Sequence, residues 1–502
     1  MSIAKKVAGQ SAWFLVGNVY TLIVGFTFQI YLARQIGAEG LGVFGLLQAG
    51  VTAASGLLGL GIAQVMVRFI PEHVRKQEYA ELHALVKGGF ALLAGMGLLG
   101  VAVVYSGLPL LVSHWPELGG RESEVLAGAI MLPLGLLLHA STQALRGFFD
   151  IRYVVMGSSI LQLTAKVVFS IMAFATGYYL MGYLWAVNAS MAIAVAWMLR
   201  GIYIHLQRHP VSTGAEKVGF LSEWRCYAKV MYGNSLLGFW AQPLERFIVG
   251  LTVSSAAVGV LVVANTLYML PAVFLQMFLA IVGPMMAASA SERNFGEVGH
   301  IYHLSTDWLV RLSLPLIVFF AFMATPVLEL YGASFAAQGV WLLRLLVVGQ
   351  LFNLMAGPIG NVLNMCGQER KMFVINTGSL LLRAALLLTL VPTLGLNGIG
   401  IVVCVILFST NIVGIIVARK ELGVHWWHRK YRAWLLPAIF TSAVAWGLQG
   451  VSLSTLALVA CLPLLYLVFH GSYILIHGFN PEDREVLAAV RAKLPPGIAK
   501  YV

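Results

Sequence analysis

The chain has 502 residues, 59% hydrophobic and only 10% charged, with a mean hydropathy of +0.85. Soluble globular proteins carry roughly 45–50% apolar and about 25% charged residues, so the composition excludes an ordinary soluble enzyme, a disordered chain and a nucleic-acid-binding domain. The net charge of +12 lies in short loops between apolar runs, the pattern of a polytopic membrane protein. The four cysteines, Cys226, Cys366, Cys404 and Cys461, form no CxxC pair, which argues against a disulfide framework or a zinc site.

Lys5 and Lys6 precede an apolar stretch from Trp13 to Leu32. It has the roughly 20 residues that a spanning helix needs, and no small-residue cleavage site follows a short apolar core. It reads as a first transmembrane helix, not a signal peptide. Runs of spanning length then recur, predicting helices over 11–32, 42–67, 86–109, 125–145, 153–175, 178–200, 229–252, 256–287, 307–330, 338–362, 372–391, 396–418, 433–450 and 453–476. The expected fold is therefore an all-α polytopic membrane protein with about 14 transmembrane helices. Its expected parts are an N-terminal lobe over 1–200, a cytoplasmic linker over 201–228, a C-terminal lobe over 229–420, two further helices within 421–478, and a cytoplasmic tail over 479–502.

Alternate loops hold 26 of the 32 cations, and the opposite set holds only Arg34 and Arg121. By the positive-inside rule both termini are cytoplasmic and the helix count is even. In the tail, Asn480-Pro481-Glu482-Asp483 predicts a capped helix start. Val486, Leu487, Val490 and Leu494 form one apolar stripe, so the expectation is a short helix on the inner membrane surface.

Two related halves are legible. Gly17-Asn18 and Gln29 match Gly233-Asn234 and Glu245, and Gly42-Val43-Phe44 matches Gly259-Val260-Leu261. Gly147 parallels Gly367, and Gly157-Ser158 parallels Gly378-Ser379. Parallel six-helix repeats of this kind are a transporter architecture, with substrate bound between the halves.

Several short motifs bring a family into view. Ala33-Arg34-Gln35-Ile36-Gly37-Ala38-Glu39-Gly40-Leu41-Gly42 resembles the first-loop motif of polysaccharide flippases in the MATE-like superfamily of multidrug, oligosaccharidyl-lipid and polysaccharide exporters. Gly59-Leu60-Gly61-Ile62-Ala63 with Arg68-Phe69-Ile70, Gln143-Ala144-Leu145-Arg146-Gly147, and Pro392-Thr393-Leu394-Gly395-Leu396-Asn397-Gly398 resemble that family's other landmarks. The resemblance covers nearly the whole chain, and its motifs are loose and mostly glycine. It implies two six-helix lobes around a cavity, two extra C-terminal helices, and flipping of undecaprenyl-pyrophosphate-linked oligosaccharide across a bacterial inner membrane for cell-surface polysaccharide synthesis. The helix before Pro392 departs from the family: it carries Arg383 where a polar Asn pair is common.

The informative side chains are ionisable groups deep in the helices. Lys166, Arg246, Arg344 and Arg383 are four such cations, against one acid, Glu245. A charge at mid-membrane costs roughly 2.5–3.5 kcal/mol, so three uncompensated cations must reach water, snorkel or meet an anion. A pyrophosphate supplies that anion and suits the arginine fork. Arg383 lies mid-helix, whereas Arg246 and Arg344 lie nearer helix ends, where snorkelling competes. Lys166 follows Gly157-Ser158 by nine residues and Arg383 follows Gly378-Ser379 by five, one helical turn of difference. Glu245 is the candidate for proton or sodium coupling. Asn18, Gln29, Asn234 and Gln242 are candidates for hydrogen bonds to glycan hydroxyls, and Tyr20, Tyr31 and Trp240 for stacking on sugar rings; interhelical hydrogen bonding is the competing role of each amide.

His300-x-x-His303 and His425-x-x-His428 have metal-like spacing but no third ligand, so no metal or other cofactor is expected. No Gly-Lys pair occurs, which excludes a P-loop. The expected partners are a lipid-linked oligosaccharide, membrane lipids and polysaccharide assembly proteins, and the expected state is a monomer without nucleic acid. Two other functions stay open. A small-molecule antiporter of the same superfamily would favour acids in the membrane. A glycan polymerase or ligase would need a larger outer loop than 105–124, so the chain is not expected to be an enzyme.

Overall fold

The computed structural model describes residues 3–114, 119–211, 222–449 and 454–485, and among them every regular element is helical. Within a bilayer each backbone N–H and C=O must be satisfied inside its own segment, which leaves helices as the spanning element for such apolar runs. The helix α1 (Ile3–Leu58) is two arms joined at Gly37, whose φ of 69° and ψ of −178° favour glycine. These arms are the first two expected helices. The second ends at Leu58 instead of near 67, because Leu60 and Gly61 adopt left-handed φ of 49° and 71°. The chain restarts as the amphipathic α2 (Ile62–Lys76), which carries Arg68 and Arg75.

Six helical segments complete the first half: α3 (Tyr79–His114), α4 (Glu122–Ala129), α5 (Met131–Gly147), α6 (Ile151–Val154), α7 (Gln162–Ala175) and α8 (Leu180–Gln207). A π-helical turn, Val155–Leu161, joins α6 to α7. The second half continues with α9 (Ser222–Thr252), α10 (Ser255–Ser291), α11 (Phe295–Phe322), α12 (Ala324–Glu329), α13 (Ala333–Met355) and α14 (Ile359–Met365). After these come α15 (Glu369–Leu394), α16 (Leu396–Leu422), a 3₁₀ turn at Arg429–Trp434, α17 (Leu435–Leu448) and α18 (Thr455–His477). Among the described residues eleven helices are long and apolar enough to cross a membrane. The remaining expected spans fall on the second arm of α1, on α9 and on the 14-residue α17, the last two outside those eleven. The molecule is a multi-pass membrane protein.

One boundary differs by several turns. The helix expected from 307 begins at Phe295. Asn294 caps it by accepting from the Glu297 N–H at 3.1 Å, while its own amide donates to the Glu297 carboxylate at 3.1 Å. That Asn-x-x-Glu box is legible in the sequence. Its consequence is that Asp307 and Arg311 lie well inside a helix instead of in a loop.

The chain packs as two compact units, Met1–Val262 with Leu387–Leu396, and Val263–Leu386 with Asn397–Val502. In the first, Val65, Met66, Ile70, Leu82, Leu85, Leu145, Met198 and Trp224 form the buried core. In the second, Met286, Val298, Tyr302, Val362, Leu363 and Ala418 do so, and the Tyr302 hydroxyl donates to Ala356 O at 2.7 Å. The second unit also holds a buried charge cluster. The Arg311 guanidinium donates to both Asp483 oxygens at 2.7 and 2.8 Å and lies 2.8 Å from Asp307 Oδ2. Trp434 Nε1 donates to Asp307 and Trp308 Nε1 to Asp483, at 2.8 and 3.0 Å. The expected tail helix begins at Pro481, and its stripe from Val486 onward lies outside the described residues.

A polar cavity in the first unit

Within the first unit, the second arm of α1, the start of α2, and α5, α7 and α8 enclose a cavity of about 350 Å³. Small residues make the space: Gly56, Gly59, Gly61 and Gly135 all line it. The polar lining comprises Gln48, Thr52 and Ser55 from α1, Gln64 from α2, His139 from α5, and Gln162 and Lys166 from α7. Phe44, Tyr183 and Met191 supply apolar wall. No carboxylate is among the lining residues. Lys166 makes no ion pair among the described residues, and its ammonium lies 5.9 Å from the Phe28 ring centroid. Three carboxamides, an imidazole and a lysine can therefore donate together, which suits an anion or a polyhydroxylated group.

Arg246 on α9 joins this site through Gln48. Its Nη1 donates to Gln48 Oε1 at 3.0 Å and to Gly45 O at 3.4 Å. Its buried Nε has no acceptor among the described residues. The neighbouring Glu245 is buried, at 4% exposure. Of the four predicted cations, Lys166 thus lines the cavity, and Arg246 stands one hydrogen bond behind it in the same unit.

The other two lie in the second unit. Arg344 Nε donates to Ala321 O at 3.1 Å, and its guanidinium lies 5.3 Å from the Trp341 ring centroid. Arg383 is half-buried on α15. The expected one-turn relation between Lys166 and Arg383 does not follow from residue counting. Gly157-Ser158 lies in the π turn, whereas Gly378-Ser379 lies in the continuous α15. A π turn changes the angle accumulated per residue, so nine residues past one pair and five past the other are no longer separated by a simple turn.

Two of the four glycan candidates fall on α1. Asn18 is exposed and Gln29 half-buried on α1. The side chains of Asn234, Gln242 and Trp240 lie outside the described residues. The Tyr20 hydroxyl is hydrogen-bonded to Thr164 at 2.7 Å, and Tyr31 packs beside Phe28 and Phe174 at centroid distances of 6.4 and 5.9 Å. Reading the sequence missed Gln48, Gln64, His139 and Gln162. The signal was present: Gln48, Thr52 and Ser55 recur at i, i+4 and i+7 in an apolar helix, one face of it. Both His-x-x-His motifs also meet. The His303 and His428 rings lie 5.0 Å apart and His303 Nδ1 is 3.0 Å from the Tyr431 hydroxyl, yet no group of three residues that could hold a metal occurs among the described residues.

The family model for "polysaccharide biosynthesis protein" matches residues 7–290, more than half of the chain. The chain belongs to the polysaccharide biosynthesis protein family. A second family model, MatE, matches residues 232–389. No curated protein matches. Among solved structures, the lipid II flippase MurJ in an inward closed conformation is similar with a TM-score of 0.69 at 12% identity, over 92% of this chain and 98% of that one. An inward-facing multidrug resistance MATE family transporter of the MOP superfamily gives 0.64 at 17% identity, over 80% and 94%. A MOP superfamily transporter from Pyrococcus furiosus, described by a reversed polarity of its binding pocket, gives 0.59 at 18%, over 84% and 96%. This member of the polysaccharide biosynthesis protein family thus has a fold like that of these MOP superfamily transporters and of MurJ.

Proposed function

We propose that this protein flips an undecaprenyl-pyrophosphate-linked oligosaccharide across the bacterial inner membrane, with both termini in the cytoplasm, by alternating access of repeats over 1–200 and 229–420. The observation that carries the reading is the cavity in which Lys166 meets Gln48, Gln64, Gln162 and His139 without a carboxylate in the lining. Such a lining attracts a pyrophosphate and repels the cations that a drug antiporter exports. Lys166 supplies the charge, the carboxamides bond to phosphate or sugar oxygens, and Arg246 reaches the same cavity by releasing Gln48. On this reading Arg383 is the candidate for gripping pyrophosphate within the second unit, while Arg344 is engaged by Ala321 O and the Trp341 ring.

The antiporter reading is supported by the likeness to MATE transporters. Binding assays on purified protein discriminate between the two. A lipid-linked oligosaccharide pyrophosphate binds wild type and loses affinity in Lys166→Ala, while a lipophilic cation binds neither. Tight binding of the cation, with no effect of Lys166→Ala on the lipid pyrophosphate, overturns the flippase reading in favour of the antiporter.

A further inference from the structure

The first unit contains a second cavity, of about 570 Å³, which shares no lining residue with the first. Its walls are α2, the turn between α5 and α6, and the end of α8. Arg68 and Arg75 are seven residues apart and share one face of α2, while Val65, Met66, Phe69 and Ile70 bury the other side in the core. Both arginines are exposed, and neither makes an ion pair among the described residues. The Arg68 guanidinium lies 4.4 Å from the Tyr227 ring centroid and 5.2 Å from that of Phe69, which holds its plane and leaves its N–H groups available.

The nearby negative groups already have partners. Glu72, between the arginines, pairs with Lys76 at 2.7 Å, and Asp150 accepts from His205 Nε2 at 3.0 Å. The carbonyls that end α8 form its negative pole. Two of them are capped by imidazoles, His83 Nε2 donating to Leu206 O at 3.3 Å and His209 Nδ1 to His205 O at 2.8 Å, and His83 Nε2 also donates to His209 O just past the helix at 3.0 Å. What remains is a roomy pocket whose lining carries two arginines, the Lys76-paired Glu72 and two hydrogen-bonded histidines, His205 and His209, with an apolar lip. Phe149 forms that lip, 58% exposed and held in a left-handed conformation at φ 57°. A bulky residue at positive φ in a turn is a costly arrangement, retained where the surroundings demand it.

We propose that this pocket binds the phosphate head of an anionic membrane phospholipid, with Arg68 and Arg75 holding the phosphate and Phe149 the apolar edge. Paired cations beside an exposed aromatic ring match the boundary between lipid heads and tails. A soluble phosphate shares the head chemistry but gains nothing from the Phe149 lip. Each cation near a lipid surface contributes about 1 kcal/mol, so losing both weakens binding at least tenfold.

The test is native mass spectrometry of the full-length protein in neutral detergent, titrated with phosphatidylglycerol, phosphatidylcholine or inorganic pyrophosphate. Wild type is expected to retain phosphatidylglycerol in preference to phosphatidylcholine. The double variant Arg68→Gln/Arg75→Gln is expected to bind it at least tenfold more weakly, and the control Arg429→Gln/Arg432→Gln within twofold of wild type. An unchanged double variant overturns the proposal, as does equal loss in the control, which would mean diffuse surface binding. Displacement of the lipid by pyrophosphate at equal concentration would make a soluble anion the occupant and overturn it too. Should the double variant fail to fold, Arg75→Gln alone, at an exposed position, must weaken binding severalfold for the proposal to stand.

Discussion

Gly42 and Gly259 face each other across one helix crossing, each packed against the carbonyl four residues before the other. A β-carbon on Gly42 would run into Ser255 O and lie 3.0 Å from Gly259 N; one on Gly259 would run into Ala38 O and lie 3.0 Å from Gly42 N. The reciprocity is that of an isologous contact, in which i meets j and j meets i. The two glycines are also partners in the sequence repeat, and a segment packing on its own duplicate about a two-fold axis produces this arrangement. Either Gly→Ala substitution pushes backbone from backbone with no flexible side chain to yield. The expected loss is at least the 1–3 kcal/mol of ordinary overpacking, read as a lower melting temperature in detergent. The double substitution should cost less than the sum of the singles, because one separation of the helices serves both. Wild-type melting of Gly42→Ala would refute the close crossing.

Asp483 ties the chain beyond α18 to the middle of α11. Burial pushes its carboxyl up, but the hydrogen bonds and charge of Arg311 outweigh burial and hold it below its ordinary 3.8. A carboxylate whose pKa is lower folded than unfolded adds stability above its unfolded value, and that stability is lost as pH falls through the folded value. The wild type should therefore lose melting temperature as pH drops below about 4, more steeply than Asp483→Asn. At neutral pH, Asp483→Asn should cost about 1.5–3 kcal/mol, the worth of hydrogen bonds to a charged group, with Asp307 still beside Arg311. Melting curves of both proteins across this range measure the difference.

The helices were legible because apolar length alone decides them in a membrane. What escaped was set by backbone detail and tertiary partners. The break after Leu58 depends on left-handed Leu60 and Gly61, and a hydropathy run does not register such a conformation. The π turn at Val155–Leu161 leaves no pattern in residue types, yet it alters the facing of everything counted through it. Lys166 was identified from its charge, but its companions Gln48, Gln64 and Gln162 come from three helices that only packing assembles. Arg344 has the same sequence signature as Lys166, and its partners, Ala321 O and the Trp341 ring, show only in three dimensions.

Glu245 is a buried carboxyl beside the arginine that bonds Gln48, which makes it the candidate for coupling transport to an ion gradient. We predict that Glu245→Gln keeps substrate binding but abolishes the response of flipping to an imposed proton or sodium gradient in proteoliposomes. If flipping and its gradient dependence both stayed at wild-type levels, coupling would have to reside elsewhere.

Lys166 and Arg344 carry like charges in opposite settings, and the settings predict opposite phenotypes. Lys166 faces a cavity and has no carboxylate partner among the described residues. Its replacement by alanine removes a desolvated charge, worth roughly 2.5–3.5 kcal/mol at mid-membrane, so the apo protein should melt no lower than wild type. The same change removes a charge-assisted contact to the pyrophosphate, worth about 1.5–3 kcal/mol, so affinity should fall roughly ten- to hundredfold. Arg344 is held by a backbone carbonyl and an aromatic face, so Arg344→Ala should cost about 1–2 kcal/mol of stability. If its guanidinium is spent on those partners, lipid-pyrophosphate affinity in that variant stays within a few-fold of wild type; if it also serves the substrate, affinity falls as in Lys166→Ala. Arg383→Lys and Arg383→Ala complete the set: a role in gripping pyrophosphate predicts a partial loss for lysine, which keeps the charge without the bidentate fork, and a larger loss for alanine. Melting temperature and binding measured on the same four variants separate holding the fold from holding the anion, and a Lys166→Ala protein that binds normally but melts early would remove Lys166 from the site.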